Sequence, residues 1–197
     1  DALSIPRDDK VILALCRLAK WKGVDRLINA MPSVVSLVPN TTALIVGDGE
    51  ERQNLENLCN KLGVQQNVRF MGLVYHKEVR KFLNAADLFV SLYHISNVGN
   101  PLLEALSCGK CIVSINNGAT GKLIRNNETG ILLEENELQS LPNVLIDLLT
   151  DDEKRKGFEE SARAYAEKHF QTWPERVKME VDLIEKLAEE WKVSGRQ

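Results

Sequence analysis

Six short and almost wholly apolar runs along the first two-thirds of the chain constrain its fold more than any other feature. Each run has the length of a buried strand, and most are followed by a segment with helical spacing. Strands without a polar face occur in parallel sheets that helices cover on both sides. The runs are KVILALC at 10–16, TALIV at 42–46, NVRFM at 67–71, LFVSL at 88–92, CIVSI at 111–115 and GILL at 130–133. This pattern predicts an α/β fold, a doubly wound Rossmann-like domain with about six mostly parallel strands.

The chain after the sixth run has helical spacing throughout. Three successive helices are expected, at 137–149, 152–170 and 174–191. The last one carries an apolar stripe formed by Val177, Val181, Ile184, Ala188 and Trp191. We therefore predict a Rossmann-like ligand-binding domain over 1–170, followed by a C-terminal helix at 171–197, whose apolar stripe needs a packing partner.

Composition excludes several classes of partner. A chain of 197 residues with 44% hydrophobic and 27% charged residues suits a single globular domain. Its net charge of −3 gives no basic surface for nucleic acid. No apolar run approaches the ~20 residues of a membrane span, and the first ten residues lack a signal-peptide core. We expect a cytoplasmic location and, because the sequence does not begin with Met, a piece of a longer protein.

The four cysteines suggest free thiols and no metal centre. Cys108 and Cys111 have the spacing of a redox pair, but Gly109 resembles a helix end and Cys111 opens an apolar run. A redox protein is kept as an alternative. The three histidines, at 76, 94 and 169, do not supply the further ligands that zinc would need.

The carboxyl ends of the strands are the expected ligand-binding edge of such a sheet. The loops that follow the strands are 16–23, 47–50, 72–76, 93–100 and 116–122. Gly47, Asp48 and Gly49 resemble part of a dinucleotide fingerprint, but the third glycine is missing. The triplet is either a tight turn or a ligand contact.

The segment 88–110 reads as strand, loop and helix. Asn100 is expected to cap the helix, with Pro101 as its first residue. Free amides near Leu102 and Leu103 would then attract an anion, and Glu104 could accept hydrogen bonds from a ribose diol. The alternative is a well-capped helix without a ligand.

Five segments together carry a family resemblance. They are CRLAKWKGVDRLINA, LIVGDGEERQNLENL, NVRFMGLV, ADLFVSLYHISNVGNPLLEALSCGK and LIRNNETGILLE. Over about 11–191 the chain resembles the C-terminal half of the retaining glycosyltransferases of family 4, which have the two-domain GT-B fold. That half binds a nucleotide-sugar donor. The N-terminal half, absent here, would bind an acceptor glycan, lipid or small molecule and make any peripheral membrane contact.

The resemblance implies roles for named residues. Arg17 and Lys22 match the cations that grip the donor diphosphate; in a fold without a bound metal, fixed cations must stabilise the leaving group. Their alternative is two surface charges on a loop. Glu104 matches the ribose-binding glutamate. The other matched positions are Gly72, Leu73 and Val74, whose backbone would face the base, and Gly99, Asn100, Pro101 and Leu102, beside the phosphates and sugar.

Two departures from the family pattern leave the activity open. Ser96 replaces the first of two family glutamates, and Lys122 stands where another glutamate is common. Either the donor is unusual, or His94, Ser96 and Asn97 hold its sugar differently, or activity has been lost. The sequence thus supports two hypotheses, a donor-binding half-enzyme and a non-catalytic nucleotide-binding or interaction module. Self-association through the C-terminal stripe is expected for the isolated chain.

Overall fold

The chain forms one parallel sheet covered by helices. The computed structural model describes residues 5, 6, 8–95 and 98–194. The strands are β1 Lys10–Leu15, β2 Thr41–Val46, β3 Val68–Gly72, β4 Leu88–Ser91, β5 Cys111–Ile115 and β6 Ile131–Leu133. Their order is β3-β2-β1-β4-β5-β6, and each neighbouring pair is parallel. The predicted doubly wound α/β fold is confirmed.

Helices follow the strands in the expected alternation. They are α1 Val24–Leu37, α2 Arg52–Leu62, α3 His76–Ala85, α4 Asn100–Ser107, α5 Thr120–Leu123, α6 Leu141–Thr150, α7 Asp152–His169 and α8 Trp173–Ser194. Two 3-10 helical segments, Lys20–Lys22 and Glu135–Ser140, complete the described structure.

The strand order identifies the edge at which a ligand is expected. From β1 the chain builds β2 and β3 on one side, and then crosses to β4, β5 and β6 on the other. Right-handed crossovers therefore place α1 and α2 on one face of the sheet and α3 and α4 on the opposite face. The direction reverses between β1 and β4, and a crevice opens outside the carboxyl ends of strands at such a point.

The strands form the centre of the core, and apolar residues of the covering helices pack against them. All six residues of β2 are buried, and Ile12, Leu13, Leu44 and Ile45 have no exposed surface. Each such side chain contributes about 1.5–3 kcal/mol on burial. A sheet covered on both faces needs this uniform pattern, which is why the strands were recognisable from sequence.

A buried arginine fastens α7 at the opposite edge of the sheet. The side chain of Arg155 is 8% exposed and forms ion pairs of 2.7 Å with Asp152 and 3.4 Å with Asp87. It also donates to the carbonyl of Leu148 at 3.0 Å. Asp152 forms a second ion pair with Lys10 at 2.9 Å, which links the start of α7 to the start of β1.

The chain divides into two compact units, the first ending at Ala166 and the second beginning at Glu167. The sheet belongs to the first unit, and α8 belongs to the second. The assignment of 1–170 and 171–197 to separate roles stays a prediction. Within the described residues, no helix has both the length and the apolar content needed to span a membrane.

Candidate functional site

A cleft of about 370 Å³ lies at the carboxyl edge of the sheet. Three strand-end loops and two helices meet there. Its lining residues are Leu15, Cys16, Arg17, Val46, Gly47, Asp48, Leu73, Val74, Val79 and Pro101. The fold therefore brings together four residues singled out in the sequence, namely Arg17, Leu73, Val74 and Pro101.

The turn after β2 supports the loop that carries Arg17. The amide of Leu18 donates to the carbonyl of Asp48 at 2.9 Å, and Cys16 bonds back to Val46 at 3.0 Å. Gly47 has a φ of 131°, and a Cβ at this position would lie 1.9 Å from the carbonyl oxygen of Cys16. Only glycine permits so close an approach. The triplet is a tight turn, and Gly47 and Asp48 also line the cleft.

Arg17 presents its charge to solvent beside the cleft. Its side chain is 72% exposed, and Nη2 lies 3.2 Å from Oε2 of Glu50, which is itself 56% exposed. The pKa of Glu50 is lowered, first by its own backbone amide and then by Arg17. Exposed pairs of this kind stabilise a protein little, so the guanidinium can exchange its carboxylate for a phosphate at little cost.

Lys22 lines a small neighbouring pocket that shares Cys16 with the main cleft. Its Nζ lies 3.7 Å from the ring centroid of Tyr93 and 4.0 Å from that of Trp21. Burial lowers the pKa of Lys22, and it raises the pKa of the Cys16 thiol to about 11. The thiol is therefore neutral at neutral pH, and the positive charge faces aromatic rings.

Glu104 lies on the other side of the cleft, on α4. Its side chain is 27% exposed, and Oε1 is 3.0 Å from Nε2 of His76 at the start of α3. Both residues line a groove of about 260 Å³ between these two helices. Val79 lines this groove as well as the main cleft, so Glu104 borders the cleft without facing its centre.

The start of α4 differs from the prediction by one residue. Gly99, in an extended conformation with φ −79° and ψ 152°, is the N-cap, so Asn100 is the first helical residue and Pro101 the second. The amide of Leu102 donates to the carbonyl of Gly99 at 3.0 Å. The expectation that this amide is free to bind an anion is therefore wrong. Asn100 is exposed and Leu102 is buried.

The remaining predicted positions are at the ends of strands. Gly72 ends β3 with a φ of 70°, and its carbonyl accepts a bond from the amide of Gly47 at 2.9 Å. Leu73 follows it and is 81% exposed. Ser96 lies outside the described residues.

The cysteine pair lacks the character of a redox site. Cys111 opens β5 without exposed surface, and burial raises the pKa of its thiol to about 12. Thiol exchange requires an accessible thiolate. The geometry therefore disfavours the redox hypothesis.

Four side chains that contact the predicted ones were not identified from the sequence. Glu50 pairs with Arg17, Trp21 and Tyr93 flank Lys22, and His76 bonds to Glu104. Trp21 directly precedes Lys22, which was a usable signal. Tyr93 follows β4 and His76 begins α3, and nothing in local spacing connects either of them with its partner.

Residues 1–165 match the family described as Glycosyl transferases group 1. The chain belongs to this family. The matched residues include all six strands of the parallel sheet.

Individual relatives give the same picture. A Corynebacterium glutamicum GDP-mannose-dependent monoacylated alpha-(1-6)-phosphatidylinositol monomannoside mannosyltransferase is 32% identical over 164 residues, 80% of this chain and 42% of that protein. The structure of Anabaena HepE in complex with UDP and glucose is 26% identical with a TM-score of 0.80, covering 92% of this chain and 49% of that one. The chain thus spans less than half the length of these relatives.

A second solved structure consists of this domain alone. The C-terminal domain of a glycosyl transferase group 1 family protein, LpcC, from Francisella tularensis has a TM-score of 0.77 at 23% identity. The match covers 86% of this chain and 90% of that domain. At this identity the likeness shows the fold alone.

Proposed function

We propose that this chain is the donor-binding half of a family 4 glycosyltransferase, which transfers a sugar from a nucleoside diphosphate to an acceptor with retention. The cleft at the carboxyl edge carries the proposal, because it gathers Arg17, Leu73, Val74 and Pro101, with Lys22 and Glu104 on its two sides. These six positions come from three separate parts of the chain, the loop after β1, the loop after β3 and helix α4. A cleft of this size accommodates a nucleotide.

Arg17 and Lys22 would bind the donor diphosphate. As the bond between the sugar and the diphosphate breaks, negative charge grows on the leaving group, and fixed cations stabilise that charge. The guanidinium offers a planar fork of donors and the ammonium a compact charge. With both in place, we propose a reaction that uses no metal ion.

The nucleoside would lie across the other wall. The backbone from Gly72 to Val74 faces the base, and the carboxylate of Glu104 accepts hydrogen bonds from the ribose hydroxyls. The turn at Gly99, Asn100, Pro101 and Leu102, together with Ser96, would border the phosphates and the sugar.

The donor and acceptor classes rest on the relatives. HepE has been crystallised with UDP and glucose, and the Corynebacterium relative is named as GDP-mannose-dependent. We propose a nucleotide-sugar donor of this kind and an acceptor glycan, lipid or small molecule held by an N-terminal domain. Such an enzyme would work in the cytoplasm, with any membrane contact made by that second domain.

Titration of the chain with UDP, GDP and ADP in a calorimeter tests donor binding. At least one nucleoside diphosphate should bind, and Arg17→Met should weaken binding by about tenfold or more, since hydrogen bonds to charged groups contribute about 1.5–3 kcal/mol. Arg176→Met is the matched control, because Arg176 is similarly exposed and pairs with Glu180 on α8 at 2.7 Å. Equal weakening by both variants would remove Arg17 from the site.

A second candidate is a non-catalytic nucleotide-binding module descended from such enzymes. Ser96 and Lys122, which stand in place of two family glutamates, favour it. Transfer assays separate the candidates. The chain alone should show no sugar transfer, because the acceptor wall is missing. If the protein joined to an N-terminal domain also fails with every donor that binds, the module is correct.

A further inference from the structure

The ammonium group of Lys22 is enclosed by two aromatic rings from different loops. It lies 4.0 Å from the ring centroid of Trp21 and 3.7 Å from that of Tyr93. The two rings meet edge to face, with centroids 5.9 Å apart and planes at 73°. We call Trp21 and Tyr93 the aromatic cage. Both distances are well within the ~6 Å over which a ring attracts a cation.

The backbone beneath the aromatic cage is fixed by contacts between the two loops. The amide of His94 donates to the carbonyl of Trp21 at 2.9 Å, and the side-chain amide of Asn117 donates to the carbonyl of Tyr93 at 2.6 Å. Gly23 comes so close to the other loop that a Cβ would lie 2.0 Å from the carbonyl oxygen of Leu92. The backbone that carries both rings is therefore held in a fixed frame.

The side chain of Lys22 has no anionic partner in the described part of the chain, since no carboxylate there forms an ion pair with it. The nearby thiol of Cys16 and the hydroxyl of Tyr93 both have pKa values raised by burial, so both are neutral at neutral pH. The two ring faces stabilise the ammonium charge but do not form an ion pair with it as a carboxylate would. Its N–H donors thus remain available to an anion.

The two rings differ in their exposure to solvent, so their contributions can be tested separately. Tyr93 is 6% exposed and belongs to the frame, whereas Trp21 is 45% exposed and covers the ammonium from the solvent side. A flexible lysine loses side-chain entropy when it binds a ligand. A lysine already held between two rings has less to lose.

We propose that Trp21 and Tyr93 are positioning residues, which hold the Lys22 ammonium in place to receive the diphosphate of the donor. This inference rests on the proposed role of Lys22 in donor binding and deepens it. The aromatic cage supplies attraction and orientation but does not itself touch the diphosphate. Its effect on affinity must therefore pass through Lys22.

A double-mutant cycle tests this dependence. Calorimetry with UDP and GDP is compared for the wild-type chain, Tyr93→Leu, Trp21→Leu, Lys22→Met and the two double variants. Each leucine variant should weaken binding by about 3- to 30-fold, the range expected for loss of one cation–π contact. In the Lys22→Met background the same substitutions should cause no further loss.

Three controls separate positioning from a general loss of structure. Tyr93→Phe keeps the ring and should retain wild-type affinity. UMP and GMP, which lack the second phosphate, should respond less to the leucine variants. Tyr165→Leu removes the ring of a cation–π pair on α7, 5.3 Å from Arg125, and should leave affinity unchanged. If Tyr93→Leu does not fold, the half-exposed Trp21 carries the test.

The outcomes distinguish this inference from the proposed function. If the wild-type chain binds no nucleoside diphosphate, the proposed function fails. If the wild-type chain binds but the leucine variants bind the nucleotide equally well or more tightly, only the positioning role is overturned. The same holds if the loss of affinity in the leucine variants adds fully to the loss caused by Lys22→Met.

Discussion

At the scale of single residues, Glu104 contacts His76 in the structure, whereas its proposed functional partner is the ribose of the nucleotide. Its carboxylate bonds to His76, whose side chain is 87% exposed. An exposed pair contributes about 0–1 kcal/mol, so ribose hydroxyls could replace the imidazole at little cost. The position of Glu104 beside the cleft is therefore compatible with nucleotide binding even though the carboxylate already has a partner.

Glu104→Gln should weaken binding of the nucleoside diphosphate by about 10- to 100-fold. The amide keeps the shape of the side chain but loses charge-assisted hydrogen bonds of about 1.5–3 kcal/mol. Calorimetry measures the affinity, and the melting temperature should hardly change. Glu78→Gln, on the neighbouring α3, is the control. A fall in melting temperature at constant affinity would make Glu104 a structural residue.

The residues foreseen from sequence and those missed differ in how they are connected. Pro101 was recognisable because it lies at a helix start, which local pattern predicts, whereas Arg17 was singled out by the family resemblance. Tyr93 was missed because its role depends on packing between two loops distant in sequence. Local spacing does not specify such contacts.

At the scale of elements, the turn at Gly47 fixes the loop that carries Arg17. Gly47→Ala should lower the free energy of unfolding by about 2 kcal/mol or more, because the φ of 131° is strained for alanine and its Cβ would overlap the Cys16 carbonyl. Nucleotide affinity should fall too, since the loop must move. Urea unfolding gives the midpoint and slope that measure the change.

Gly157→Ala provides the opposite case. Gly157 lies inside α7, and no atom lies within 4 Å of a Cβ added there. Alanine in a helix interior should stabilise the chain by about 0.5–1 kcal/mol and leave affinity unchanged. If both alanine variants behave alike, the Gly47 turn does not support the site.

The elements also show where sequence patterns stop being informative. The apolar runs located the strands closely: the first was expected at 10–16 and is Lys10–Leu15. The almost wholly apolar composition of a buried strand identifies it in the sequence. The start of α4 was placed one residue late because Asn100 is the better capping residue by type, whereas the backbone conformation makes Gly99 the cap. The order of the strands depends on crossovers that composition does not specify.

At the scale of the whole molecule, the ion pairs at the start of α7 make the stability of the fold depend on pH in the acid range. Hydrogen bonds from Lys10 and Arg155 lower the pKa of Asp152 from 3.8 to about 2. A carboxyl with a lowered pKa contributes fully above its ordinary value and loses that contribution as the pH falls through about 2. Asp152→Asn should therefore lower the melting temperature at pH 7, with the difference shrinking between about pH 4 and pH 2.

Differential scanning calorimetry across this pH range checks the prediction. Asp182→Asn, on α8, controls for the loss of a surface carboxylate. A difference that stays constant from neutral to acid pH would show that Asp152 acts through shape and not through its charge.

The apolar stripe on α8 should drive self-association of the chain. Val181 is 45% and Ile184 65% exposed, and exposed apolar stripes of this length usually mark an interface. Light scattering over a dilution series should show a concentration-dependent mass that falls with Val181→Glu and Ile184→Glu. Lys186→Glu, on the same helix, controls for added charge. A monomer at every concentration, before and after these substitutions, would contradict the prediction.

We propose that the cleft at the carboxyl edge holds a nucleoside diphosphate, and a crystal structure of the chain with the tightest-binding nucleotide tests this proposal. The diphosphate should lie beside Arg17 and Lys22, the ribose hydroxyls on Glu104, and the base against the backbone of Gly72, Leu73 and Val74. A nucleotide bound elsewhere, or bound in the cleft with its diphosphate away from both cations, would contradict it.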